Sequence, residues 1–484
     1  MDNHCLPNDA NLEHLRGQAK GLQRRVRAGN AEALALAARF HPRAPDASMF
    51  KRADAQLVIA RGYGFESWAR LVRHLESITP FSNSPSRPAR GQEPAVDEFL
   101  RLACLTYDND HPERIERART LLADRPQLAT ATVHAAAAAA DIDAIRTHLA
   151  DDPSHASLRG GPHTWEPLLY LTYSRLGVGD PVAVASELLE HGADPNAGFL
   201  WGGQWPPFTA LTGVFGGGEG GTNQPAHPHE TALARLLLDA GADPNDEQTL
   251  YNRHFAPTNE HLALLYEYGL GTDTGGPWRE RLPGPHDPPR VALEDQLQFA
   301  AAKGFAERVD LLLRHGVDPD GTGSQHPALH NRTAVELAVA HGHTNIEEIL
   351  VGAGATAPNL DAPAQLLAAC MRGDRASVEA LVASNPAIVQ AALRRSPSQI
   401  IDAAENGQHE AVALLHELGF DVNARERTTA LHEAAWNGNR AMTEHLLALG
   451  ADPTIRDREH DGPPSGWAEH NGHSDLAAFL RSHE

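Results

Sequence analysis

A short phrase that recurs along the chain constrains its fold more than any other feature of the sequence. Two or three leucines are followed by a polar pair, then by glycine, a small residue and aspartate, often with Pro-Asn after it. The phrase occurs as LLEHGADPN, LLLDAGADPN, LLLRHGVDPD, LLHELGFDVN and LLALGADPT, beginning at Leu188, Leu236, Leu311, Leu414 and Leu446. The leucines pack inward, glycine supplies a left-handed helix end, and Asp-Pro starts a turn. Each copy therefore predicts the end of a helix and the turn that follows it.

A second element precedes the phrase in two copies. TALHEAAWNGN begins at Thr429 and TAVELAVAHGH begins at Thr333. Both predict a short first helix that threonine caps and a glycine-containing turn to the second helix. Three variant copies end their second helix on proline instead of glycine: LLADRPQLA from Leu121, HLADDPSHA from His148 and LVASNPAIV from Leu381.

These residues resemble the ankyrin repeat. Thr429, Leu431, His432, Ala434 and Ala435 match its TPLHxA signature apart from the proline. The helix-end markers of the C-terminal copies are 31, 34 and 31 residues apart, bracketing the ankyrin period of about 33; they are Gly354, Asn385, Gly419 and Gly450. The resemblance to bacterial ankyrin-repeat proteins implies an all-α solenoid of stacked helix pairs over residues 95–484. It also implies protein–protein recognition as the usual activity.

The first 94 residues differ from the rest of the chain. Residues 1–80 show apolar positions at helical spacing and are expected to form a small N-terminal helical region. The segment 81–94 is rich in serine and proline, which predicts a linker. The N-terminal helices also resemble the helical leader that precedes ankyrin arrays in some bacterial proteins.

The middle of the chain breaks the period with two long insertions, at residues 198–230 and 271–290. Residues 160–280 contain nine of the fourteen Trp and Tyr residues of the chain. Aromatic rings on Gly- and Pro-rich loops suit a recognition surface, because they offer rigid contact area. The predicted ligand-binding residues are Trp165, Tyr170, Tyr173, Trp201, Trp205, Phe208, Phe215, Tyr251, Arg253, His254 and Trp278.

We therefore expect a binding module that recognises a protein or peptide through these loops. The alternative is a small-molecule-binding protein or enzyme with a polar pocket between the same loops. Convergence of His163, Glu166, His227, His229 and Arg253 in one cavity would favour that alternative. However, the chain has no HExxH, GxSxG or phosphate-loop motif, so the sequence assigns no catalytic residue, metal or cofactor. A third reading, a structural stack without a site, predicts disordered insertions.

Charge and cysteine usage restrict the partner and the compartment. Asp and Glu number 63 against 41 Lys and Arg, a net charge of −22, which argues against nucleic acid and anionic membranes as partners. The three cysteines lie far apart without CxxC spacing, which favours a reducing compartment. The start lacks the apolar run of a secretory signal, and no stretch of 18 apolar residues exists. These features predict a cytoplasmic protein.

Overall fold

The structure is a computed structural model that describes residues 6–43, 46–86, 93–273, 275–282, 286–324, 329 and 331–484. It is mostly helical, with 58% helix and 3% strand, so helix packing determines the architecture. The helices of the first 281 residues are α1 (Leu12–Arg27), α2 (Ala31–Phe40), α3 (Arg52–Gly62), α4 (Trp68–Ile78), α5 (Ala95–Ala103), α6 (Pro112–Asp124), α7 (Val133–Ala138), α8 (Ile142–Asp151), α9 (Pro167–Tyr173), α10 (Pro181–Glu190), α11 (Ala210–Phe215), α12 (Glu230–Asp239), α13 (Glu247–Arg253), α14 (Glu260–Glu267) and α15 (Pro277–Arg281).

The remaining helices lie between residues 289 and 481. They are α16 (Pro289–Lys303), α17 (Ala306–Arg314), α18 (Ala334–Ala340), α19 (Thr344–Gly352), α20 (Ala362–Met371), α21 (Arg375–Ser384), α22 (Ala387–Arg395), α23 (Gln399–Glu405), α24 (His409–Glu417), α25 (Ala430–Trp436), α26 (Arg440–Ala448), α27 (Pro464–His470) and α28 (Ser474–Arg481). Among the described residues, no single helix has the length and apolar composition to cross a membrane, although the bent pair α21 and α22 passes that test jointly.

The chain divides into two compact units, each with its own core. The first unit comprises Met1–Gly216, Ala226–Thr249 and Thr274–His286. The second comprises Gly217–Pro225, Leu250–Asp273 and Asp287–Glu484. The linker predicted at 81–94 therefore falls inside the first unit, and its residues 87–92 lie outside the described part of the chain. The three predicted domains stay a prediction.

The N-terminal region of the first unit is helical, as expected. In α1, Leu15, Ala19, Leu22 and Val26 recur every three or four residues and are all buried. The side chain of Asn11 caps this helix by accepting a hydrogen bond from the His14 N–H at 2.8 Å. Helix α1 packs against α3, and α7, α9 and α11 pack side by side further along the unit.

The first unit also contains a small three-stranded sheet, within a fold that is mostly helical as predicted. Strand β1 (Ser82–Asn83) pairs in parallel with β2 (Gly198–Trp201), and β2 pairs antiparallel with β3 (Phe208–Thr209). Two strands come from the first insertion, where Phe, Leu and Trp favour extended backbone. The third comes from the predicted linker, because the Leu200 N–H donates to the Phe81 carbonyl at 2.8 Å.

In the second unit, α24 and α26 end as the recurrent phrase predicts. Gly419 and Gly450 have φ values of +92° and +93°, in the left-handed region that glycine enters most easily. One residue later, the Ala451 N–H donates to the Leu446 carbonyl at 3.0 Å and closes the helix end. The first helices of neighbouring pairs pack side by side here, α16 on α18, α23 on α25 and α25 on α27. The stacking of every pair into one solenoid stays a prediction.

Candidate functional site

Four of the eleven predicted ligand-binding residues lie in the core of the first unit, each less than 2% exposed. They are Trp165, Tyr170, Tyr173 and Phe215. The Trp165 ring centroid is 4.8 Å from that of Phe199 and 5.0 Å from that of Tyr173. The Tyr173 hydroxyl donates to the Thr209 carbonyl at 3.0 Å, which satisfies its buried polar atom. In this conformation the four rings offer almost no surface to a ligand.

The other four predicted residues of the first unit are Trp201, Trp205, Phe208 and Trp278. The indole N–H groups of the three tryptophans already have hydrogen-bond partners within that unit. The three indole N–H groups donate from Trp201 to the Thr106 carbonyl at 3.1 Å, from Trp205 to Glu247 Oε2 at 2.8 Å and from Trp278 to the Asn196 carbonyl at 3.1 Å. Phe208 stacks on Phe199 with centroids 5.5 Å apart. Trp278 is buried, whereas the other three keep partly exposed surfaces.

The last three predicted residues lie in the second unit. Tyr251 and Arg253 are partly exposed and His254 is buried. The His254 ring stacks on Phe299 with centroids 3.9 Å apart. Arg253 donates to the Thr258 hydroxyl at 3.0 Å. The predicted set is therefore split between the two units, and its role in ligand binding stays a prediction.

Among the polar residues of the enzyme alternative, His163 and His227 are buried in the first unit, where Glu166 is half-buried and His229 is exposed. Arg253 lies in the second unit. Burial lowers the pKa of both His163 and His227 to about 3, so both imidazoles are neutral at pH 7. Burial, with the charge of Asp194 as the next cause, raises the pKa of Glu166 to about 6. His163 Nε2 and Trp165 Nε1 are buried without a hydrogen-bond partner. No group of three His, Cys, Asp or Glu side chains in the described ranges could hold a metal ion.

In the second unit, a row of side chains at the ends of the first helices forms the candidate interaction surface. We call it the helix-end row, and it consists of Glu405-Asn406, Trp436-Asn437 and His470-Asn471 at the ends of α23, α25 and α27. The Asn437 side chain donates to the Glu405 carbonyl at 2.9 Å. The Asn471 side chain donates to the Trp436 carbonyl at 2.7 Å. These bonds fix the spacing of the row.

His432, in the first turn of α25, bonds both to Thr429 before α25 and to Gly462 before α27, and so fixes these two helices next to one another. His432 Nδ1 accepts from the Thr429 N–H at 3.3 Å, and the Thr429 hydroxyl lies 2.8 Å from the same atom. Because Nδ1 accepts, the proton is on Nε2, which donates to the Gly462 carbonyl at 3.1 Å. His432 is fully buried, so these bonds are shielded from water.

Carboxylates dominate the charge beside the helix-end row. Burial raises the pKa of Asp402 to about 7, and the negative charge of Glu405 contributes next. Burial also raises the pKa of Glu433, again with Glu405 as the next cause. The Lys303 ammonium pairs with Glu405. The surface therefore combines several acidic groups with the positive charges of Lys303, Arg332 and Arg427.

Two connections between helix pairs lie next to one another and are charged. They run over residues 419–428 and 450–463. Their main chains are joined where the Arg458 N–H donates to the Arg427 carbonyl at 2.9 Å. The side chains of Arg427 and Glu459 form an ion pair at 3.2 Å. Both connections expose most of their charged side chains.

The helix-end row was not among the residues predicted from the sequence. Its signal is the Asn-Gly pair that follows α23, α25 and α27, at Asn406, Asn437 and Asn471. From the sequence alone, an asparagine at this position indicates a turn. The structure shows in addition that Asn437 bonds to the end of α23 and Asn471 to the end of α25.

Comparison with known proteins identifies repeats in this part of the chain. A family model described as ankyrin repeats, in three copies, matches residues 366–457. The chain is similar to the E3 ubiquitin-protein ligase Ufd4 of Drosophila melanogaster, 39% identical over 82 residues, 16% of this chain and 3% of that protein. It is also similar to the putative ankyrin repeat protein L271 of Acanthamoeba polyphaga mimivirus, 43% identical over 58 residues, 12% of this chain and 8% of that protein.

A third similarity is to the potassium channel AKT1 of Oryza sativa, 40% identical over 83 residues, 16% of this chain and 9% of the channel. The chain thus spans less than a tenth of the length of each of these relatives. The predicted ankyrin resemblance is confirmed over the matched residues, and residues 366–457 of this chain are ankyrin repeats.

Proposed function

We propose that the protein is a protein-interaction module whose ankyrin repeats bind a protein partner. The observation that carries the proposal is the match of three ankyrin repeats to residues 366–457. Such repeats generally mediate protein–protein interaction. The proposal assigns no catalytic activity.

We further propose that the partner meets the helix-end row and the adjoining acidic groups. Glu405, together with the ionised fraction of Asp402 and Glu433, would attract a segment that carries lysine or arginine. Trp436 is partly exposed and is the kind of rigid aromatic anchor that concentrates binding energy at interfaces. Rim charges of this kind increase the rate of association, so binding should weaken as salt increases.

Recognition through the aromatic insertions is the less favoured form of the same proposal. Trp201, Trp205, Phe208 and Tyr251 keep partial exposure, but the polar atoms of the two tryptophans already bond within the first unit. Using them for a ligand would require those bonds to be exchanged. Glu405 and Trp436 of the helix-end row lie within the ankyrin repeats matched at residues 366–457, whereas the insertions lie outside them.

The test neutralises the acidic surface in the full-length protein. One variant carries Asp402→Asn, Glu405→Gln and Glu433→Gln, and its matched control carries Glu348→Gln, Glu379→Gln and Glu444→Gln, all exposed on second helices. Proteins enriched by the wild type are identified by cross-linking, purified and titrated by calorimetry. We expect the surface variant to bind at least about tenfold more weakly, a loss of about 1.4 kcal/mol, while the control binds like the wild type.

Two outcomes would contradict the proposal at different levels. Equal affinity of both triple variants would place the interface elsewhere on the chain. Absence of any partner that binds the purified wild type directly would overturn the interaction-module assignment itself.

A further inference from the structure

A loop from the first insertion belongs to the second unit, in contact with its last ankyrin-type helices. We call residues Gly217–Pro225, with the sequence GGEGGTNQP, the glycine loop. It closes on itself, because the Gly217 N–H donates to the Gln224 carbonyl at 2.8 Å. The Gly220 N–H also donates to the Gln224 side-chain oxygen at 2.9 Å. These bonds turn Thr222 and Asn223 into the tip of the loop.

The tip of the glycine loop is seated on the helix-end row, about 250 residues further along the chain. The Thr222 N–H donates to Asn471 Oδ1 at 3.1 Å, and the Thr222 hydroxyl lies 3.4 Å from the same oxygen. The Asn223 side chain donates to the His470 carbonyl at 2.8 Å. The tip of the loop thus bonds both His470, the last residue of α27, and Asn471, which follows it.

Glycine at position 221 is what allows this approach. A Cβ atom there would lie 2.9 Å from Cζ2 of Trp436 and would overlap Asn471 Oδ1. Gly221 also has a φ of +58°, which residues with a side chain rarely adopt. The loop therefore bonds His470 and Asn471 and lies against Trp436.

The glycine loop contacts the helix-end row through polar groups and has no large apolar side chain to pack there. Four of its nine residues are glycine, and none carries a large apolar side chain. Thr222 is exposed, so water competes for its bonds to Asn471. A glycine-rich segment regains much conformational freedom when it is released. Asn223 and Gln224 are buried, so release of the loop would exchange their polar contacts for contacts with water or with another segment.

We propose that the glycine loop is an intrachain pseudo-ligand that a protein partner must displace from the helix-end row. This inference rests on the proposed function and adds its regulation. The displacing segment would present a small residue to Trp436, an N–H group and a hydroxyl to Asn471, and a side-chain amide to the His470 carbonyl. Occupancy by the loop reduces the apparent affinity for such a segment by the fraction of molecules in which the loop is released.

The test uses a fluorescent peptide with the sequence of residues 217–225 and the full-length protein. Thr222→Ala with Asn223→Ala removes the side-chain donors of the loop, and Gly221→Val is a second variant that forces the loop away from Trp436. Circular dichroism establishes that each variant is folded. Fluorescence anisotropy should show that both variants bind the peptide at least about tenfold more tightly than the wild type.

Adding Asn471→Ala to the Gly221→Val protein provides the matched control, and it should abolish peptide binding. Hydrogen exchange of residues 217–225 should accelerate in the released variants. Equal peptide affinity of wild type and released variants, or no binding by the released variants at millimolar peptide, would overturn the inference.

Failure of this inference and failure of the proposed function give different results. Partner binding that is unchanged in the released variants would refute the role of the loop while the interaction module stands. Peptide binding without any protein partner would instead refute the interaction module.

Discussion

At the scale of single residues, the buried His163 makes the stability of the protein depend on pH. His163 is 1% exposed, and its ring centroid is 4.5 Å from that of Trp165. Burial, followed by the positive charges of Arg101 and Arg114, lowers its pKa to about 3. The native protein therefore keeps His163 neutral across a range in which an unfolded histidine, with a pKa near 6.5, takes up a proton.

We predict that His163 makes the first unit sensitive to acid. The unfolded state binds more protons than the native state between pH 6.5 and pH 3, so stability is full above pH 6.5 and falls as pH decreases. His163→Phe keeps the ring contacts and removes the titration. The wild type should lose about 1.4 kcal/mol per pH unit relative to this variant below about pH 6. Urea unfolding at pH 7, 6 and 5 measures the difference.

The exposed His14 supplies the matched control for that measurement, because His14→Phe makes the same substitution at the protein surface. Parallel stability curves for wild type and His163→Phe would show that the native protein protonates His163 as easily as the unfolded chain does.

At the scale of elements, one buried arginine organises the connection between α13 and α14. Arg308 lies on α17 and is 0% exposed. Its guanidinium donates to the carbonyls of Ala256 and Thr258, both at 2.6 Å, and to Asn259 Oδ1 at 2.9 Å. Burial, with the charge of Arg253 next, lowers its pKa to about 10, so it stays protonated at neutral pH. The connection thus takes its shape from a side chain on another helix.

We predict that Arg308→Met destabilises the second unit by about 3 kcal/mol, because buried carbonyls would lose a charged donor. Arg314→Met on the same helix is the matched control. Arg314 is exposed and pairs with Asp310 at 2.8 Å, a surface ion pair that contributes at most about 1 kcal/mol. Guanidinium unfolding followed by circular dichroism compares the two. A similar small loss for both variants would mean that water replaces Arg308 at these carbonyls.

At the scale of the whole molecule, the charge of −22 sets which partners can approach. Basic residues cluster on α1, but Arg25 pairs with Glu32 at 2.8 Å and Arg27 donates to the Phe50 carbonyl at 2.9 Å. The net field therefore repels polyanions and attracts cationic segments.

We predict that the protein does not bind duplex DNA or phosphatidylserine vesicles at 0.15 M salt. Fluorescence anisotropy with a DNA duplex and vesicle co-sedimentation should give dissociation constants weaker than about 10⁻⁴ M, the weak limit of non-specific DNA binding. Saturable binding that weakens steeply with added salt would instead identify a basic surface strong enough to overcome the net charge.

Local signals in the sequence determine the helices and their ends without reference to any tertiary contact. The leucines before Gly419 and Gly450 and the threonine cap before α25 act over a few residues, so the sequence alone predicts these elements. The TPLHxA-like residues from Thr429 similarly predicted the ankyrin repeats found at 366–457.

Long-range packing decided the rest. Trp165 looks like a recognition residue in a glycine-rich segment, yet Phe199 and Tyr173 enclose it, because burial depends on neighbours that the local pattern does not specify. Residues 82–83 became a strand only because Leu200 was available to pair with that segment. Thr222 bonds to Asn471, which lies 249 residues further along the chain. Periodicity encodes an element, whereas the partner of a side chain is fixed by which elements the fold brings together.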